Sequence, residues 1–164
     1  MRAMAVGADG TRPDFTGSWV VSRTQGPFDA FMREVGFSYL DRCAASVLRY
    51  GVGRMTNEVT QSGDEIGVVS WSPKGTFTNM LRIDGSEQET VDPVEGRPIR
   101  VVLAWEALLV DAGAAPVPAL VTRGRRLDVG EHLPENSRFL HGEEMCVLQT
   151  SPSGLVVRRY FKRQ

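Results

Sequence analysis

From Arg54 to its end, the chain consists of short apolar stretches cut at close intervals by turn residues. That rhythm constrains the fold more than any other feature. Strand patterns run over Met55 to Gln61, Ile66 to Ser72, Thr76 to Ile83, Glu87 to Val91 and Ile99 to Val110. They continue over Leu120 to Val129, Asn136 to Leu140, Met145 to Gln149 and Leu155 to Lys162. The breaks carry turn chemistry: Ser62-Gly63-Asp64, Asp84-Gly85, Gly130 to Pro134, Gly142 and Ser151 to Gly154. With an earlier strand over Phe15 to Ser22, the count is about ten, and no βαβ alternation interrupts it. An antiparallel meander of this length removes its exposed edges by closing into a barrel.

Two helices precede the strand series. Phe28, Phe31, Met32 and Val35 fall at i, i+3, i+4 and i+7, one face of a helix. Gly36 interrupts, and Phe37, Leu40, Ala44, Val47 and Leu48 resume the spacing up to Gly51. The pair is predicted to cap an open barrel end, apolar face inward, with Asp29, Arg33, Glu34 and Asp41 on its polar back. The fold expected is therefore all-β: a ten-stranded antiparallel up-and-down barrel of calycin or lipocalin-like type under a two-helix lid. Residues 1–13 are expected to form a loose tail and 14–164 a single β-barrel domain.

Composition narrows the function. Lys plus Arg is 19 against 20 for Asp plus Glu, a formal charge of -1. Such balance argues against nucleic acid or an anionic membrane as the main partner. No stretch approaches the roughly 18 apolar residues of a membrane-spanning helix, and no signal-peptide pattern opens the chain. A cytoplasmic, monomeric protein is the expectation. The 2 cysteines, Cys43 and Cys146, form no metal motif and are expected as buried free thiols. No cofactor and no metal site is expected, and His132 and His141 fall at turns.

The final strand is the chemically interesting one. Val156, Arg158 and Tyr160 share one face, while Leu155, Val157, Arg159 and Phe161 share the other. A guanidinium inside an apolar barrel would need an anion. The strand pattern alone does not say which face looks inward. Arg123 and Arg125 are further candidates for an interior cation.

Fragments along the chain resemble the intracellular lipid-binding proteins, the fatty acid-binding and cellular retinoid-binding family. Phe15-Thr16-Gly17-Ser18-Trp19 is similar to that family's opening Phe-x-Gly-x-Trp. Phe28 to Phe37 resembles its first helix and turn, and Gly75-Thr76-Phe77-Thr78-Asn79 its portal segment. Glu89-Thr90-Val91-Asp92, Gly96-Arg97 and Trp105-Glu106 resemble the retinoic acid-binding branch. Ser137 to Met145, continued through Arg158-Arg159-Tyr160, resembles the last three strands. Two stretches depart from the pattern: extra residues at Pro93-Val94-Glu95, and an insertion within 107–129.

The resemblance implies a non-enzymatic carrier of one fatty acid or retinoid-like acid. Carried over by position, it assigns the carboxylate to Arg138, Arg158 and Tyr160, and thereby turns Arg158 and Tyr160 inward. It implies a weaker set along the access path and tail: Phe28, Phe31, Met32, Phe37, Val47 and Phe77. Transient membrane contact through the lid follows as a partner expectation. The alternative is a barrel enzyme, an isomerase or hydrolase, with Tyr160 as acid and His132 or His141 as base.

Overall fold

The computed structural model describes residues 4–5, 12–92 and 96–164. Most of the expected tail and the Pro93-Val94-Glu95 stretch lie outside these residues. The strands are β1 (Met4–Ala5), β2 (Gly17–Gln25), β3 (Thr56–Ser62), β4 (Glu65–Ser72), β5 (Gly75–Arg82) and β6 (Gln88–Val91). They continue with β7 (Pro98–Leu108), β8 (Val117–Arg126), β9 (Glu135–His141), β10 (Glu144–Thr150) and β11 (Val156–Arg163). Beyond the two-residue β1, these are the ten strands the turn spacing predicts. All pair antiparallel in the order β1-β7-β8-β9-β10-β11-β2-β3-β4-β5, with β6 on the free side of β7.

The barrel is nearly closed. Among the described residues no ladder joins β5 to β6. The Gln88 side chain spans that seam instead: Arg82 N donates to its Oε1 at 2.9 Å, and its Nε2 donates to Arg82 O at 2.8 Å. One amide thus replaces a pair of ladder bonds and satisfies backbone groups that would otherwise face the gap.

Inward positions at one end form a dry floor. Trp19, Phe15, Met145 and Phe161 are at most 3% exposed. The indole of Trp19 donates to Phe15 O at 2.8 Å, so its polar edge is satisfied where it is buried. Between Tyr160 and Phe161 the β2–β11 register shifts: Tyr160 faces Arg23 and Phe161 faces Val21, leaving Ser22 as an extra residue. This bulge keeps Val21 on the inner face while Arg23 turns outward.

The lid joins β2 to β3 and comprises α1 (Phe28–Glu34), α2 (Tyr39–Val47) and a 3-10 turn at Arg49–Gly51. Phe28 and Phe31 bury against Val157 of β11, and the Tyr50 ring stacks on Phe28 at 4.9 Å. α2 starts at Ser38, whose hydroxyl accepts from Asp41 N at 3.1 Å. The expectation that both helices turn a broad apolar underside inward holds for α1 only. No residue of α2 is buried, and Leu40 and Val47 are 77% and 82% exposed. The reason is support: α2 rests on α1 and the following turn rather than on a strand.

Glu34 fastens α1 to the β10–β11 turn. Its carboxylate accepts from Ser151 Oγ at 2.6 Å, Ser153 N at 2.8 Å and Ser153 Oγ at 2.7 Å. The Ser151 and Ser153 hydroxyls hold this carboxyl below its ordinary value. A depressed carboxyl stabilises the fold above its ordinary pKa and loses that contribution as pH falls through the depressed value. Amide exchange in α1 is therefore expected to quicken in Glu34→Gln at neutral pH. In the parent chain the protection of these amides, corrected for the intrinsic exchange rate, should be lost only as pH falls below the ordinary carboxylate range.

Candidate functional site

Residues opposite each other in a ladder share a face, so the register fixes which side chains look inward. One row runs Leu120, Arg138, Val147, Arg159 across β8, β9, β10 and β11. Leu120 and Val147 belong to the inner core with Trp19, Leu103, Trp105 and Phe161. Arg138 and Arg159 therefore point into the barrel. The adjacent rows run Ser137, Leu148, Arg158 and Phe139, Cys146, Tyr160, and these face outward.

The expected trio is thus not brought together. Arg138 is inside, but Arg158 and Tyr160 lie on the outer face of β11. The reason lies in the strand itself. Val156-Arg158-Tyr160 and Val157-Arg159-Phe161 carry nearly the same chemistry one residue out of phase, and a one-residue shift exchanges the faces. Arg159, with Phe161 two residues beyond it, occupies the inward place expected for Arg158 and Tyr160. Phe161, on the same face as Arg159, packs into the floor.

Outside, Arg158 is taken up by the chain that joins β7 to β8. Its Nη2 donates to Val110 O at 3.1 Å and meets Asp111 at 3.4 Å. Tyr160 donates to Gln25 Oε1 at 3.3 Å, and Arg23 caps its ring at 3.5 Å. Arg123, another candidate for the interior, also faces out, where it pairs with Glu106 and with Glu135 at 2.8 Å. Arg158→Gln is therefore expected to change stability by less than about 1 kcal/mol. Its effect on interior binding should be smaller than that of any change at Arg138, as paired titrations would measure.

The inner cations have a different environment. Nothing but desolvation acts on Arg138, and it pulls the guanidinium down to about 10. Desolvation does the same to Arg159, again to about 10. No carboxylate pairs with either among the described residues. Arg138 Nη1 approaches only Met145 Sδ, at 3.1 Å. Arg159 donates Nε to Tyr50 O at 3.2 Å and Nη1 to Gln149 Oε1 at 3.2 Å, and lies 4.8 Å over the Phe28 ring. By contrast, most other arginines, Arg23, Arg42, Arg97 and Arg100 among them, pair with a carboxylate.

Both inner arginines keep some accessible surface although protein surrounds them. So do the inward-facing Val68, Ser70, Phe77, Asn79, Asn136 and Gln149. All of these lie in the half of the barrel nearer the lid, above the dry floor. This accessible inward face, above the dry floor, is the candidate chamber. No inward-facing strand position among the described residues carries His, Asp or Glu. The chamber is apolar and amide-lined, with two unneutralised guanidinium groups.

The access-path residues divide. Phe28 and Phe31 are buried under the lid, Met32 and Phe37 are half-buried, and Phe77 looks inward from β5. Val47 stands in solvent, away from the chamber. Lys74, in the β4–β5 turn, lies 5.0 Å over the Phe37 ring and 3.5 Å from Asp41, so it ties that turn to the start of α2. Cys146 is buried, and burial pushes its thiol up to about 12, whereas Cys43 is exposed rather than buried as expected. His132 and His141 are both exposed.

No family model matches the sequence, and no curated protein matches it. Solved structures do. The REP1-NXSQ fatty acid transporter superposes with a TM-score of 0.66 at 19% identity, covering 91% of this chain and 95% of that one. Human cRBP IV gives 0.69 at 16% identity, covering 93% and 99%. Apo Caenorhabditis elegans lipid binding protein 8 gives 0.68 at 18% identity, covering 92% and 95%. The chain thus shares the fold of these three structures along nearly its whole length.

Proposed function

We propose that this protein is a non-enzymatic carrier that holds a long-chain fatty acid or retinoid-like acid inside the barrel, with the carboxylate at Arg138. The observation that carries this reading is an interior guanidinium with no carboxylate beside it, in a chamber lined by apolar and amide groups. Leaving a buried cation unpaired costs free energy, and an incoming carboxylate relieves that cost through a charge-assisted hydrogen bond. Arg suits the task because its fork matches a planar carboxylate and it stays protonated at neutral pH.

The tail supplies most of the drive. Some fifteen methylenes leaving water contribute on the order of 12 kcal/mol gross, of which immobilisation takes back a large part. Orientation follows from charge: Arg138 reaches toward the floor residue Met145, so a tail pushed in first would lie against a bare guanidinium. Head-first binding is therefore favoured, with the tail running up toward Phe77, Phe31 and the lid. An enzymatic reading has less support, because both histidines are exposed, His132 at an isolated bridge to Arg125 and His141 at the end of β9. The test is displacement of a fluorescent fatty acid from delipidated protein. One saturable equivalent, weakened at least about tenfold by Arg138→Gln, supports the carrier. Binding that Arg138→Gln leaves intact removes the assigned head-group site.

A further inference from the structure

Among the described residues two inward guanidinium groups, Arg138 and Arg159, have no carboxylate partner, and one carboxylate satisfies only one of them. Arg138 and Arg159 flank the same β10 residue, Val147. From there their side chains diverge. Arg138 reaches Met145 and Arg159 reaches Gln149. Those two residues lie four apart on a strand, about 13 Å at roughly 3.3 Å per residue. One guanidinium addresses the floor and the other the lid. A small head group at the first leaves the second unpaired, and among the described residues no inward strand position supplies an acid to neutralise it.

What holds Arg159 in the absence of an anion is weak for a charge: a backbone carbonyl, an amide oxygen and a ring face. The carbonyl belongs to Tyr50, which with Arg49 sits in the left-handed region at φ 53 and 52. Neither is glycine, so the 3-10 turn that presents this carbonyl is itself unfavourable. The site is a guanidinium at the chamber mouth, resting on neutral acceptors.

We propose that the barrel takes a bolaform lipid, a chain with an anionic group at each end, one end on Arg138 and the other on Arg159. This rests on the carrier reading and specifies its ligand class. The alternative source of the same chemistry is two monocarboxylates per barrel, which stoichiometry separates.

The experiment is calorimetric titration of delipidated full-length protein with hexadecanoate and with hexadecanedioate, near pH 7.5 where both ends are ionised. The discrimination is sharp, because burying a second carboxylate without a cation costs affinity heavily. The expected result is one diacid per chain, bound at least about tenfold tighter than the monoacid. In Arg159→Gln, and in Arg159→Met as a second variant, that ratio should fall to one or below. Equal or weaker diacid binding by the parent chain overturns the proposal while leaving the carrier intact. Two monoacids per chain overturn the single-ligand form. Failure of both acids to bind sinks the carrier reading itself.

Discussion

Replacing Arg138 by Met is expected to strengthen the ligand-free barrel and to cripple its hold on a carboxylate. The two effects share one cause. In the empty chamber this guanidinium stays charged with only a thioether beside it. Its folded-state value of about 10 lies below its ordinary one, so the cation is penalised at every pH below about 10. The penalty is fully present at neutral pH and is relieved only as pH rises from about 10 toward the unfolded value. Met keeps most of the side-chain volume and needs no counter-charge. The gain is on the order of 1–3 kcal/mol, discounted for the surface Arg138 keeps toward the chamber. For a chain of this size that raises Tm by about 2–10 °C.

Ligand binding should move the other way. Removing one partner of a desolvated charge pair costs about 2–5 kcal/mol, a loss of roughly thirtyfold to several thousandfold in affinity. Thermal unfolding with and without hexadecanoate reads both effects. Lipid should raise Tm in the parent chain and hardly at all in Arg138→Met. A variant that is less stable when empty would mean that Arg138 has a partner inside the barrel and is not waiting for one.

What could be read from the sequence, and what could not, follows from period and symmetry. Turn signals such as Asp84-Gly85 mark strand boundaries locally, so ten strands and the lid were legible. The face of β11 was not. Its two faces read Val-Arg-Tyr and Val-Arg-Phe, and alternation cannot rank two near-identical stripes. Only the pairing of Val147 with both Arg138 and Arg159 breaks the tie, and pairing is a long-range property. The exposed flank of α2 has a similar origin. Leu40, Ala44 and Val47 keep helical spacing whether or not a surface lies beneath them. Apolar spacing identifies a stripe but not what covers it.

The segment between β7 and β8 lies in the stretch that departs from the family pattern, and with the strand ends beside it yields the second large prediction. Leu108, Val110 and Val117 fold against the outside of the barrel and cover Ala119, Val121, Phe139, Cys146, Leu148 and Tyr160. Phe139 is 1% exposed, although it points away from the chamber. A strand normally polar on its outer side is here apolar on both, which is why β10 reads as the continuous run Met145-Cys146-Val147-Leu148. Phe139→Ala empties the middle of this outer core and is expected to cost about 3–5 kcal/mol in urea unfolding. Because the ring lies on the far side of the sheet from Arg138, lipid affinity of the folded fraction should change by no more than about twofold. A large loss of affinity with little loss of stability would place Phe139 against the ligand instead, and would reverse the assignment of inner and outer faces from which both arginine roles follow.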